Sequence, residues 1–358
     1  MENLWITLLV IAVVVLIFII LRKIRPWRKK WLLIIPALVL IAYTAFQVLF
    51  PVHSLVTATG EYPVGKSEDY FTYPPNNEQY ETGDRIREVP VTLWHPEKIE
   101  DINGKLILFS HGSFGVADSN DSLFNELASH GYVVASLSHP FHSFTATLED
   151  GSNIRIDTTY MQDVLRTQGS EDLEKTLIDL ENWSQLHEDD IIQVLEQIQG
   201  EKTENPFLQA ANSDEVILIG HSLGGTATLN LGREREDIAA VVALESPFSG
   251  DITDINENNT YEFTTEPYPV PLLHIYSDAI WDVLDELALY EQNWNYINSE
   301  NGQYKNVHIE GSGHIGLTDM NRVSPILTNM FDGGLNSEDY NTVLKQINEA
   351  VLVFLDEL

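Results

Sequence analysis

Glu215-Val216-Ile217-Leu218-Ile219-Gly220-His221-Ser222-Leu223-Gly224-Gly225-Thr226 is the stretch from which the architecture of this chain is read. Val216 to Ile219 is a short, continuous aliphatic run, the pattern of a strand buried on both faces. Thr226 to Arg233 has helical periodicity, so Gly220-x-Ser222-x-Gly224 falls in a sharp strand-to-helix turn. Glycines at 220 and 224 leave room for that turn, which lifts the Ser222 hydroxyl out of the sheet edge beside a helix N-terminus. A serine hydroxyl is a poor nucleophile until a base takes its proton and donors wait where the carbonyl oxygen turns negative. The plainer alternative is a glycine-rich turn that contains an incidental serine.

Outward from this turn, short runs rich in Val, Ile and Leu recur at Leu106 to Ser110, Tyr132 to Ser138, Ala239 to Glu245, Val270 to Tyr276 and Asn306 to Glu310. Helical patterns separate or follow them at Leu123 to His130, Glu171 to Leu186, Asp189 to Gln199, Asp282 to Tyr290 and Ser337 to Leu358. Arg85 to His95, with Val89, Val91 and Leu93 alternating, reads as an early hairpin strand. The sum is a mostly parallel sheet with helices on both faces, and with the serine turn it predicts an α/β-hydrolase fold. Over seventy residues lie between the strand ending at Ser138 and the one starting at Val216. Either a lid inserted within 144–214 or two ordinary crossover helices explains that length.

In this fold one backbone N–H of the oxyanion hole comes from the loop after an early strand and the other from the residue after the nucleophile. Leu106-Ile107-Leu108-Phe109-Ser110-His111-Gly112-Ser113 supplies such a strand end, which assigns the donors to Ser113 and Leu223. His111 reads as a structural residue of the loop. Chain order runs serine, acid, histidine, so Gly311-Ser312-Gly313-His314, after the last strand, supplies the base His314. Two carboxylates end neighbouring strands on the same sheet edge, Glu245 and Asp278, and either can orient His314; Asp282 is a poorer third. His139-Pro140-Phe141-His142 reads as pocket lining rather than a metal pair, because no carboxylate cluster joins it. No metal and no cofactor is expected.

The first fifty residues differ from the rest. Leu4 to Leu21 and Trp31 to Phe50 are apolar runs of about the length a helix needs to cross hydrocarbon. The loop 22–30 carries Arg22, Lys23, Arg25, Arg28, Lys29 and Lys30, and so basic a short loop stays in the cytoplasm. The expectation is a two-helix transmembrane hairpin (1–50), a linker (51–67) and a catalytic domain (68–358) on the extracytoplasmic side of the cell membrane. Two rival readings are a cleaved signal peptide in the first run, and a second run released after Val56-Thr57-Ala58. Beyond Phe50 the chain holds 14 basic and 53 acidic residues, a formal charge of −39. Such a surface repels polyanions, so a nucleic-acid partner is excluded. The chain has no cysteine, hence no disulfide and no thiolate nucleophile.

Four motifs, Phe109-Ser110-His111-Gly112, Leu127 to Ala135, Gly220 to Gly225 and Gly311 to His314, resemble those of the platelet-activating-factor acetylhydrolase family, over roughly Thr59 to Asp319. The resemblance puts the acid near Ala243-Leu244-Glu245-Ser246-Pro247, which favours Glu245 over Asp278. The chain departs from the family pattern in having Glu where Asp is usual, and in its hairpin. The resemblance implies a metal-independent esterase that removes short or oxidised acyl chains from phospholipids, with simpler esters taken by related bacterial hydrolases. The expected partners are therefore a lipid or small ester substrate and the bilayer around residues 4–50. An amidase or peptidase using the same residues, and a non-catalytic tethered binding domain, are the alternatives.

Overall fold

The computed structural model describes residues 2–167, 169–170, 172–299 and 302–358. Its central sheet has eight strands: β1 (Val64–Tyr73), β2 (Arg87–Pro96), β3 (Lys105–Ser110), β4 (Val133–Leu137), β5 (Asn212–His221), β6 (Ile238–Leu244), β7 (Leu272–Ser277) and β8 (Tyr304–Ile309). Their spatial order is β1-β2-β4-β3-β5-β6-β7-β8. The pairs β1-β2 and β2-β4 are antiparallel, and every pair from β4 to β8 is parallel. The mostly parallel sheet expected from the apolar runs is thus present. The two small antiparallel ribbons, 145–147 with 153–155 and 252–255 with 261–263, stand outside it.

Continuous apolar runs are needed because the sheet is covered twice. The main helices are α1 (Glu2–Leu21), α2 (Trp27–Leu49), α3 (Asp121–Ser129), α4 (Thr158–Thr167), α5 (Leu173–Gln199), α6 (Leu223–Glu234) and α7 (Tyr340–Asp356). Leu106, Leu108, Val216, Leu218, Val241 and Ala243 face Ile191, Val194 and Leu195 of α5 and Ala227 and Leu231 of α6. Their neighbours Ile107, Phe109, Ile217, Ile219, Val242 and Leu244 point the other way, onto Phe124 and Leu127 of α3 and Val343, Ile347 and Val351 of α7. Alternation along each strand therefore feeds two cores.

Several boundaries move from their expected places. β1 begins at Val64, inside the expected linker 51–67, because Val64 to Tyr73 pairs residue by residue with Pro96 to Arg87. α2 begins at Trp27 rather than Trp31 and ends at Leu49, so Arg28, Lys29 and Lys30 lie in its first turns, directly after Pro26. Pro26 suits that start, since it has no N–H to leave unpaired. The two helices expected from Glu171 and Asp189 are one, α5; nothing between Leu186 and Asp189 breaks a helix, and Leu186, His187 and Asp190 all turn inward. Glu171 itself lies outside the described residues. The helix expected over Asp282 to Tyr290 is replaced by two 3₁₀ turns, Trp281–Val283 and Ala288–Tyr290, before a short helix at Glu291–Ile297. The apolar residues there, Trp281, Leu284, Leu287 and Tyr290, recur every third residue, which is the 3₁₀ period.

The long β4–β5 connection holds one crossover helix in place of the two expected, preceded by a small ribbon and a further helix. α5 alone makes the crossover, while the ribbon and α4 lie over the loop that follows β3, through Tyr160 and Val164 packed on Leu223 and Phe114. The N-terminal helices α1 and α2 are long and apolar enough to cross a membrane, with mean hydropathy of 3.4 and 2.3 over their apolar stretches. By composition alone the same lengths also suit a signal sequence near the N-terminus. After α2 the chain is fastened to the sheet domain: Ser324 donates to the Leu49 carbonyl, and the His53 ring stacks on Tyr340.

Candidate active site

Ser222 stands between the end of β5 at His221 and the start of α6 at Leu223, with φ +52° and ψ −123°, a conformation rare for a residue with a side chain. Such strain persists only where the surroundings enforce it. Here Ser222 N–H donates to the Leu244 carbonyl at 2.9 Å, and the Ser222 carbonyl accepts from Thr226 N–H at 2.9 Å. A Cβ on Gly220 would stand 2.5 Å from the Gly224 carbonyl oxygen, and one on Gly224 would overlap the carbonyls of Ser110 and His111. The two glycines predicted for the turn are there because the backbone passes too closely for anything larger. Gly225, which sequence reasoning passed over, is equally constrained by the Ser246 hydroxyl.

Gly112 comes so near the turn that a Cβ on it would lie 2.9 Å from Ser222 Cβ. Ser113 follows Gly112 in that close approach, and Leu223 follows the serine itself. The next N–H groups are already engaged: Phe114 donates to the His142 carbonyl at 3.1 Å and Gly115 to Gly112 at 3.0 Å. No backbone acceptor among the described residues meets the N–H of Ser113 or of Leu223. Among the described residues these two N–H groups have no acceptor, which leaves them open to a negative oxygen.

His314 lies on the loop after β8, and its carbonyl accepts from His221 Nε2 at 3.0 Å, which ties that loop to the serine turn. Its Nδ1 is 2.7 Å from Glu245 Oε1. Glu245 follows β6 directly at φ +49°, its side chain 1% exposed, and its other oxygen accepts from Ser277 N–H at 2.6 Å. Burial pushes the His314 imidazole down, but the bond and charge of Glu245, with Asp332 farther off, outweigh it and raise its pKa above the usual 6.5. Asp278 is turned elsewhere: it accepts from His308 Nε2 at 2.8 Å and from Gly311 N–H at 2.9 Å. Asp282 is exposed on its 3₁₀ turn. Of the carboxylates proposed from sequence, the structure brings Glu245 to the imidazole and gives Asp278 to the backbone of the loop that carries it.

Asp332, which sequence reasoning missed, grips that loop from the other side. It accepts from Ile315 N–H and Gly316 N–H, both at 2.9 Å. It sits in a Phe-Asp-Gly-Gly turn with no catalytic spacing, and nothing in the sequence distinguishes it from any solvated aspartate. A buried network behind the Ser113 loop was also missed. Arg87 makes two 2.7 Å bonds to Asp190, whose Oδ2 is 2.8 Å from His139 Nδ1, while His139 Nε2 is 2.9 Å from Ser110 Oγ. This is a bonded serine–histidine–aspartate chain, but Ser110, His139 and Asp190 are fully buried, and Arg87 neutralises the carboxylate. His142 is engaged separately, stacked on Tyr160 with centroids 3.7 Å apart. His111 is buried against Gly112 and Ser143, and burial lowers its pKa to about 4, which suits the structural role read from the sequence.

A model of the family platelet-activating factor acetylhydrolase, isoform II, matches residues 95–358. The chain belongs to that family. Membership places it among the ester hydrolases. The matched segment begins at the end of β2, so α1 and α2 lie outside it. Among solved structures the chain is similar to ferulic acid esterase from Streptomyces cinnamoneus, with a TM-score of 0.61 and 16% identity over 85% of this chain and 92% of that one. At that identity the likeness carries the fold alone. Since 723 solved chains match significantly, the acetylhydrolase-family chain cannot take a substrate from its fold. No curated protein sequence matches it.

Proposed function

We propose that the protein is a membrane-tethered serine esterase in which Ser222 is the nucleophile, His314 the general base, Glu245 its orienting acid, and the N–H groups of Ser113 and Leu223 the oxyanion hole. The observation that carries the reading is the 2.7 Å Glu245–His314 pair fastened to the strained serine turn through His221. Ser222 Oγ adds to the ester carbonyl as its proton passes to His314 Nε2, and the two N–H groups take up the charge on the carbonyl oxygen. The C–O bond to the alcohol breaks, and the alkoxide leaves with the proton from His314. Water, deprotonated by the same imidazole, then cleaves the acyl-serine, which releases the acid and restores the hydroxyl.

The proposed substrates are short or oxidised acyl esters of phospholipids, in keeping with the family. The proposed setting is a hairpin of α1 and α2 with the basic residues of 22–30 in the cytoplasm and the domain outside. Six positive charges in nine residues support that orientation. A fluorophosphonate probe should label the wild type covalently and leave Ser222→Ala unlabelled; equal labelling of both would reject the nucleophile. Hydrolysis of p-nitrophenyl esters should fall as the acyl chain lengthens, and peptide substrates should remain uncut. Protease added to intact cells should digest the domain, and complete protection would reject the orientation.

A further inference from the structure

Tyr160 comes from the inserted helix α4, yet it touches the oxyanion loop at Ser113 and Phe114 and the neighbouring loop at His142. Its hydroxyl donates to Ser113 Oγ at 2.9 Å. Its ring meets the Phe114 ring edge-on at 5.8 Å and lies flat on His142, tilted by 5°, while the His142 carbonyl holds Phe114 N–H. Tyr160 is 5% exposed, and burial raises the pKa of its hydroxyl, so at neutral pH it stays a donor. Phe114 has φ +68°, a left-handed conformation that a non-glycine residue keeps only where its surroundings enforce it. The contacts that enforce it come from Tyr160 and from the carbonyl of His142 beneath its ring.

The geometry points to Tyr160 as a positioning residue for the oxyanion hole, one that makes the β4–β5 insertion part of the catalytic machinery rather than a loose cover. It touches no reacting atom. Held at its hydroxyl by Tyr160 and at the following peptide by the bond from Phe114 N–H to the His142 carbonyl, Ser113 has its Cα fixed, and with it the position of its N–H, for which no acceptor appears among the described residues. An oxyanion donor aimed wrongly loses transition-state stabilisation while substrate binding is left nearly unchanged. This inference rests on the serine-esterase reading above, and the controls below separate the two.

Tyr160→Phe keeps the ring stack and removes only the hydroxyl. On p-nitrophenyl acetate its kcat should fall by about 10- to 100-fold with KM within about twofold, the scale expected when a catalytic group is displaced by a fraction of an ångström to an ångström. Its acid-limb midpoint should equal that of the wild type, since His314 and Glu245 are untouched. Ser113→Ala should lose a similar factor, the double variant no more than either, and Ser113→Thr, which retains a hydroxyl, should recover most of the rate. A Tyr160→Phe enzyme with wild-type kcat overturns the inference, and so does a loss that multiplies with that of Ser113→Ala. If the wild type fails to hydrolyse the ester or to take the fluorophosphonate, the esterase reading has failed instead. Thermal denaturation of each variant shows whether a lost rate reflects lost folding.

Discussion

Replacing Glu245 by glutamine tests the proposed site at its most constrained atom pair. The carboxylate has two jobs that the amide cannot share. Oε2 accepts from Ser277 N–H at 2.6 Å, and Oε1 stands 2.7 Å from His314 Nδ1. The buried Ser277 N–H requires an acceptor, so the glutamine carbonyl must face it, and the NH₂ then faces His314. An NH₂ group can only donate. Nδ1 must therefore give up its hydrogen, and the imidazole carries its proton on Nε2, the atom that should receive one from Ser222. A base in the wrong tautomer costs about 10⁴ in kcat in a serine triad, or about 5.5 kcal/mol of barrier. The charge that raises the His314 pKa disappears as well. Activity requires neutral His314, so it should rise with pH through a midpoint above 6.5 in the wild type and through a lower one in the residual activity of Glu245→Gln. The same sign holds for stability: the Glu245–His314⁺ attraction is fully present below about pH 6.5 and is lost as pH rises through the folded-state pKa. Initial rates with p-nitrophenyl acetate from pH 5 to 9, with Asp278→Asn alongside, decide the matter. The carboxamide of that second variant can still accept from Gly311 and donate to His308, so its loss should stay below about tenfold. If Asp278→Asn is the more damaged enzyme, or Glu245→Gln keeps more than a tenth of the activity, the assignment of the acid is wrong.

Other consequences follow from the buried groups around this site. Asp190→Ala leaves the Arg87 guanidinium buried without a counter-charge and removes the partners of His139 and Tyr73. Unfolding in urea should show about 3–5 kcal/mol lost, as for other broken buried pairs, and a change below 1 kcal/mol would contradict the burial. His111, His139, His142 and His187 are all held neutral by burial, with pKa values below 6.5. The unfolded chain takes up protons below about pH 6.5 that the folded one refuses, so stability should fall steadily between pH 6.5 and 4.5; a midpoint in urea unchanged across that range would contradict it. Asp332→Ala strips the acceptor from Ile315 and Gly316 N–H, and its ester kcat should drop as the His314 loop loosens, with a loss of about 2–4 kcal/mol in folding stability. Wild-type turnover in that variant would show that the loop holds itself.

What could be read from the residues alone is whatever the backbone imposes locally. Val216 to Ile219 had to be a doubly covered strand, and the glycines at 220 and 224 had to flank a sharp turn, because both are consequences of short-range sterics. Ser222, Ser113, Leu223 and His314 follow from that frame, since each occupies the end of a strand on one sheet edge. What stayed undecided, as between Glu245 and Asp278, or escaped notice altogether acts across long sequence gaps. Glu245 and Asp278 end adjacent strands and look equivalent in sequence; they differ because positive φ at 245 swings one side chain across Ser277 to the imidazole, while the other is captured by His308. Asp332 and Tyr160 reach the site only once their short helices have docked, and Asp190 finds Arg87 across 103 positions. The unpredicted residues share one property: each binds backbone or a buried partner to hold a loop in place. A catalytic serine leaves a mark in the sequence because the turn that exposes it demands glycine. A residue that holds the loops around it needs only to be polar and of the right reach, which many sequences satisfy and only the folded chain selects.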